Sequence, residues 1–170
     1  MKALTTMLAQ RAAQPTPEEG LKVWRDAAQA QIPEPVIDAC LFSRPASHGA
    51  TLLASHTGGL STMLLRKSRE IRAGGLPEHF ILAVTGDDVI ALRRTMKARG
   101  GPLGAPGDEV ARWKRSDLDV SSSNGGYLLK VTIKSPSEDE KVQASVASSP
   151  LTQSFVALLG DPSRSTPATG

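Results

Sequence analysis

Few residues in this chain are of the types that do chemistry, so their spacing is weighed first. Cys40, His48 and His56 are evenly placed, with gaps of eight residues. Zinc ligands come in closer pairs, and this spacing matches no standard metal set. A Cys–His nucleophile pair needs only proximity in space. A lone cysteine, however, is among the most buried residue types, and Cys40 reads as a core thiol beside loop histidines. Ser55-His56-Thr57-Gly58-Gly59 precedes a helical stretch and can offer backbone N–H groups to an anion. It lacks the lysine and spacing of a phosphate-binding loop, which leaves an ordinary helix start. Asp87-Asp88 is a carboxylate pair that a polar hairpin turn explains in full. The sequence predicts no catalytic residue, no metal and no cofactor.

The remaining charged chemistry is cationic. Arg66, Lys67, Arg69 and Arg72 form a stripe opposite an apolar helix face, and Arg93, Arg94, Lys97 and Arg99 form a second cluster. If Arg66, Lys67, Arg69, Arg72, Arg93, Arg94 and Lys97 share a face, they make a candidate surface for anionic membranes, each contributing about 1 kcal/mol near such a surface. The plainer reading is a solvated helix face and an edge strand kept soluble by charge. No aromatic residues interleave with them, which disfavours single-stranded nucleic acid.

Composition sets the frame that positions these residues. The 39% hydrophobic and 22% charged content over 170 residues is that of a soluble globular protein of one domain with a helical appendage. Aromatics are only 4%, so aliphatic residues fill the core and Trp24 and Trp113 are expected at packing centres. With one cysteine, no internal disulfide forms, which suits a reducing compartment. Apolar runs such as Phe80–Val84 fall far short of the ~20 residues that span a bilayer, and Gln10 and Arg11 interrupt any signal-peptide core. A cytoplasmic location is the expectation. The net charge of +3 is compatible with anionic partners and demands none.

The first elements are helical. Lys2–Ala13 has helical spacing without a good cap. Thr16-Pro17-Glu18-Glu19 is a capping box with proline at the first helical position. It predicts an amphipathic helix over Pro17–Ala30 with Leu21, Trp24, Ala28 and Gln31 on one stripe, ended by Pro33 and Pro35. Val36–Ala54 stays open between helix and strand. Leu60–Ala73 reads as a helix, stopped by Gly74-Gly75 and Pro77.

From His79 the period switches to two. Phe80–Val84 and Val89–Arg94 make a hairpin across Gly86-Asp87-Asp88. A Gly/Pro loop covers Ala98–Gly107. Strands follow at Val110–Lys114 and Leu118–Ser121, then at Tyr127–Lys134 after the Asn124-Gly125 turn, and at Val142–Val146. Ser149-Pro150 opens a last helix to Leu159, with Leu151, Phe155, Leu158 and Leu159 on one face. Asp161–Gly170 lacks large apolar residues and reads as a disordered tail.

Six short strands followed by one C-terminal helix resemble the pleckstrin-homology-like superfamily, nearest to its bacterial PH-like and GRAM-like relatives. The stretches that carry the resemblance are Phe80–Thr85, Val110–Leu118 and the Pro150–Leu159 helix. The resemblance implies an α+β fold, a curved antiparallel sheet or partly open barrel closed by that helix, and the helical spacing ahead of it adds a helical N-terminal half packed on or flanking the sheet. It implies a seventh strand, which is either missing or hidden in Val36–Ala54. The expected organisation is a helical region over 1–78, a PH-like strand domain over 79–160 and a tail over 161–170.

Such a scaffold implies binding rather than catalysis. The acidic Gly86-Asp87-Asp88 turn would repel a phosphorylated headgroup. The leading expectation is a non-catalytic adaptor that recognises a protein or peptide, either at an open sheet edge or between the sheet and the last helix. A peripheral membrane module is the alternative, and a small hydrolase or metal enzyme a distant third.

Overall fold

The computed structural model describes residues 17–44, 76–94, 106–135 and 141–163. Helix α1 (Pro17–Gln29) is followed by strands β1 (Asp38–Ser43), β2 (His79–Val84), β3 (Asp88–Arg94) and β4 (Pro106–Lys114). A single 3-10 turn, Arg115–Asp117, leads into β5 (Asp119–Asn124), β6 (Leu128–Lys134) and β7 (Lys141–Ala147), and helix α2 (Pro150–Gly160) closes the series. The class is α+β. The strands form one seven-stranded antiparallel sheet in the order β4-β3-β2-β1-β7-β6-β5. The sheet is not closed, because β4 and β5 remain its two edges.

The stretch left open between helix and strand holds β1 at Asp38–Ser43, which lies at the centre of the sheet. That strand pairs along its whole length with β2, and its ladder pairing with β7 is Ser43 opposite Ser145, where Ser145 Oγ also donates to the Ser43 carbonyl at 3.2 Å. The sheet therefore begins ahead of residue 79, inside the region expected to be helical. Its two halves, β4-β3-β2-β1 and β7-β6-β5, meet at this short seam.

Two apolar clusters hold the sheet. On one face Cys40, Phe42, Phe80, Leu82, Val84 and Trp113 meet Leu129, Val131 and Ile133 of β6, and Phe155, Leu158 and Leu159 of α2. Phe42 stacks with Phe80 at 6.2 Å between centroids and tilts against Phe155 at 5.9 Å. On the other face Ala39, Ile81, Ala83, Ile90 and Leu92 pack under Ala28 and Ile32, with Trp24 and Leu41 at the margin. Strands β1 to β3 are thus covered on both faces, as a continuous Phe80–Val84 apolar run requires. By contrast β6 alternates cleanly, with Leu129, Val131 and Ile133 inside and Lys130 and Lys134 in solvent.

Several local expectations are corrected. Trp24 is half-buried rather than a packing centre. Gln31 lies beyond the end of α1 and is exposed, and Ile32 takes the buried place instead. Strand β4 starts at Pro106, inside the expected Gly/Pro loop, because an edge strand tolerates proline. The expected Lys2–Ala13 and Leu60–Ala73 helices, the Thr16 side of the capping box and most of the tail lie outside the described residues.

The last helix forms as its sequence dictates. Ser149 and Thr152 cap one another reciprocally: Thr152 N donates to Ser149 Oγ at 3.1 Å and Ser149 N to Thr152 Oγ1 at 2.9 Å. Its last turn carries no basic side chain. Arg115, from the turn between β4 and β5, supplies that charge from outside.

Candidate functional site

An open antiparallel sheet offers its edges, and the two edges here are built differently. Strand β4 begins with Pro106 and carries Asp108, Glu109, Arg112 and Lys114. Its pairing with β3 slips between Ala91 and Leu92 and again between Leu92 and Arg94. Proline, charge and irregular register are the usual means by which an edge is kept from pairing with another chain. Arg112 is further tied down. It donates to Glu109 at 3.0 and 2.9 Å, to Glu34 at 3.1 Å and to Asp88 at 2.9 Å.

Strand β5 is far less guarded. Its sequence, Asp119-Val120-Ser121-Ser122-Ser123-Asn124, holds no proline and one charge, and its register with β6 is unbroken. Five of its six residues are exposed, and only Val120 is half-buried. Among the described residues no strand pairs with its outer side.

The turn at its end fixes which backbone groups are free. Gly125 N donates to the Leu128 carbonyl at 2.8 Å, so Gly125 and Leu128 form a hydrogen-bonded pair. Gly126, at φ +84°, occupies the left-handed region that glycine enters without strain, and its N–H is held by Asn124 Oδ1 at 3.0 Å. Hydrogen-bonded and non-bonded pairs alternate along an antiparallel ladder. Asp119, Ser121 and Ser123 therefore bond β6, while Val120, Ser122 and Asn124 direct their N–H and C=O groups off the edge.

Helix α2 lies against one end of this edge. A Cβ on Gly160 would sit 3.4 Å from Val120 Cβ and 3.9 Å from the Val120 carbonyl oxygen. Val120 is thus the point at which α2 approaches the edge, and Ser122 to Asn124 lie beyond it. Just past them, Tyr127 is 96% exposed, and its carbonyl accepts from Ser148 N at 2.9 Å. An exposed tyrosine held on a fixed turn is a common protein-contact residue.

The residues singled out from sequence fare differently. Arg66, Lys67, Arg69, Arg72 and Lys97 lie outside the described residues, as do Arg99, His48 and His56. Arg93 and Arg94 end β3, in the other half of the sheet from β5. Arg94 lies over the Trp24 ring at 5.2 Å, and partial burial lowers its pKa from the ordinary arginine value. It packs as well as carries charge.

Asp88 is not a free acid on a turn. It is buried, paired with Arg112 at 2.9 Å and Lys114 at 2.8 Å, and the Lys114 contact, aided by Arg112, holds its carboxyl below the usual range despite burial. Cys40 is buried, and desolvation, with the nearby Asp38 charge, pushes its thiol up to about 12. Among the described residues no three of His, Cys, Asp and Glu gather as a metal cluster. No helix there is long and apolar enough to cross a membrane.

Sequence reasoning named an open edge but not which one. The available signal was the Ser121-Ser122-Ser123 run, whose small polar side chains leave the backbone accessible. No family model and no curated protein matches the chain.

Proposed function

We propose that the protein is a non-catalytic binding module that takes an extended segment of a partner protein as an added strand on β5. The observation that carries this reading is the asymmetry of the edges: β4 is protected by proline, charge and broken register, whereas β5 leaves Ser122 and Asn124 with outward backbone groups. Strand addition draws affinity from such main-chain groups. The likeness to the pleckstrin-homology-like superfamily belongs to the same reading. Its support is the run of seven antiparallel strands followed by one helix over an open sheet.

The test is selection of random displayed peptides against the full chain, followed by amide hydrogen exchange. Selected peptides are expected to slow exchange at Ser122 and Asn124 and to lose binding to the Ser122→Pro variant. That substitution removes an outward N–H and none of the β5–β6 ladder bonds. Selected peptides that protect a different surface, or sedimentation of the chain with anionic vesicles in place of peptide binding, would overturn the reading.

A further inference from the structure

Strand β5 determines where a partner strand pairs; the solvent face of β6 bears on which partner fits. Along that face, register places Lys134 opposite Asp119, Thr132 opposite Ser121 and Lys130 opposite Ser123. Both lysines are exposed, and both lean toward the open edge. Lys134 Nζ lies 3.6 Å from Asp119 Oδ2 on β5. Lys130 Cε lies 3.8 Å from where a Cβ on Gly125 would stand, just past the far end of that strand. No acidic group among the described residues pairs with Lys130. Behind Lys134, Lys141 of β7 is in direct register, so two like charges face each other, an arrangement that costs a sheet a little unless an anion lies near.

We infer that the β5 edge selects an acidic extended segment, with carboxylates four residues apart on the side chain face shared with Lys130 and Lys134. This inference rests on the strand-addition reading. A strand added to β5 runs roughly 10 Å from β6, two strand spacings away. Asp119, Ser121 and Ser123 stand between, and the two serines are too short to block a lysine and a glutamate that lean toward each other. Residues four apart on a strand stand about 13 Å apart on the same face, so one register satisfies both lysines. The residue midway between the two carboxylates falls beside Ser121 and Thr132, which accept a hydroxyl or amide. Asp119 competes with the segment for Lys134.

The experiment uses the full chain and three synthetic peptides of alternating threonine and valine. One carries two glutamates at the Lys130–Lys134 spacing, one two glutamines there, and one two lysines. Fluorescence anisotropy is read at low and high salt. The glutamate peptide is expected to bind ~3- to 10-fold tighter than the glutamine peptide, as two exposed ion pairs allow, and the lysine peptide more weakly than either. Added salt should narrow the spread. Asp119→Asn should strengthen glutamate-peptide binding, and Lys130→Glu combined with Lys134→Gln should reverse the order of the peptides.

Equal binding of all three peptides, lost in Ser122→Pro, would overturn the charge preference and leave strand addition standing. Failure of every peptide to bind would overturn strand addition and the preference with it. Glutamate-peptide binding that survives Ser122→Pro undiminished would place the acidic ligand elsewhere and overturn the inference.

Discussion

Arg115 clasps the carboxyl end of α2: its Nε and Nη2 donate to the Leu158 carbonyl at 3.1 and 2.6 Å. Nη2 also reaches the Asp161 carbonyl at 2.5 Å. The residue is 1% exposed, and its own N–H is held by the Asp87 carbonyl at 2.8 Å. One residue, through its backbone and its side chain, thus ties the β2–β3 turn, the β4–β5 junction and the last helix together. A guanidinium suits the position because the last carbonyls of a helix lack intrahelical partners and carry partial negative charge.

Replacing Arg115 with methionine is expected to destabilise the fold by about 2–4 kcal/mol, since it strands buried carbonyls that hydrogen bonds to a charged group had satisfied. Arg115→Lys should recover only part of the loss, because an ammonium cannot present two parallel donors. Urea unfolding midpoints of the three proteins check this. Near-identical midpoints would show that the clasp contributes nothing.

How much of this was legible in the sequence depends on how many faces of an element are buried. Strand β6 and helix α2 were readable because one face of each meets solvent and the Ser149-Pro150 cap is local. Strand β1 was not. Ala39 and Leu41 face α1 while Cys40 and Phe42 face the other core, so no period of two remains to be seen. Strand β5 was set at Leu118–Ser121 rather than Asp119–Asn124, since its serines carry no hydrophobic alternation and only pairing with β6 defines its length. The Arg115 clasp left no trace at all. It looked like an interruption between strands, and its burial arises from a helix that follows more than thirty residues later.

Asp88 should govern part of the acid stability. Its carboxyl is held below the ordinary value of 3.8, chiefly by Lys114, so protonation is easier in the unfolded chain than in the folded one. The resulting stabilisation is fully present above pH 4 and is lost as pH falls through the lower folded value. Asp88→Asn should lower stability at neutral pH and flatten the decline below pH 4, read from urea midpoints against pH. A variant whose acid limb parallels that of the parent would contradict this.

Arg94 should prove structural before it proves a ligand contact. Its guanidinium lies over the Trp24 ring, and such a pair is worth about 0.5–1 kcal/mol where partly exposed. Arg94→Gln is expected to reduce stability by about that amount and to shift Trp24 fluorescence, with Trp24→Phe as the reference that separates it from Trp113. Arg93→Gln, which leaves the ring contact in place, should leave the emission unchanged.

Cys40 should be silent to thiol reagents in the native state. The thiolate is the reactive form, and burial pushes the thiol from its ordinary 9.0 up to about 12. Modification at pH 8 is expected to run at least ~100-fold slower than in the urea-unfolded chain, where the thiol regains its ordinary acidity. The sign of the accompanying pH effect follows from the raised value. Deprotonation is easier in the unfolded chain, so the contribution is whole below pH 9 and erodes as pH rises toward about 12. Cys40→Ala should cost about 1 kcal/mol at neutral pH through lost packing against its neighbours, yet decline less steeply than the parent above pH 9. Rapid labelling of the folded protein at pH 8 would show that β1 opens to solvent, contrary to its place at the centre of the sheet.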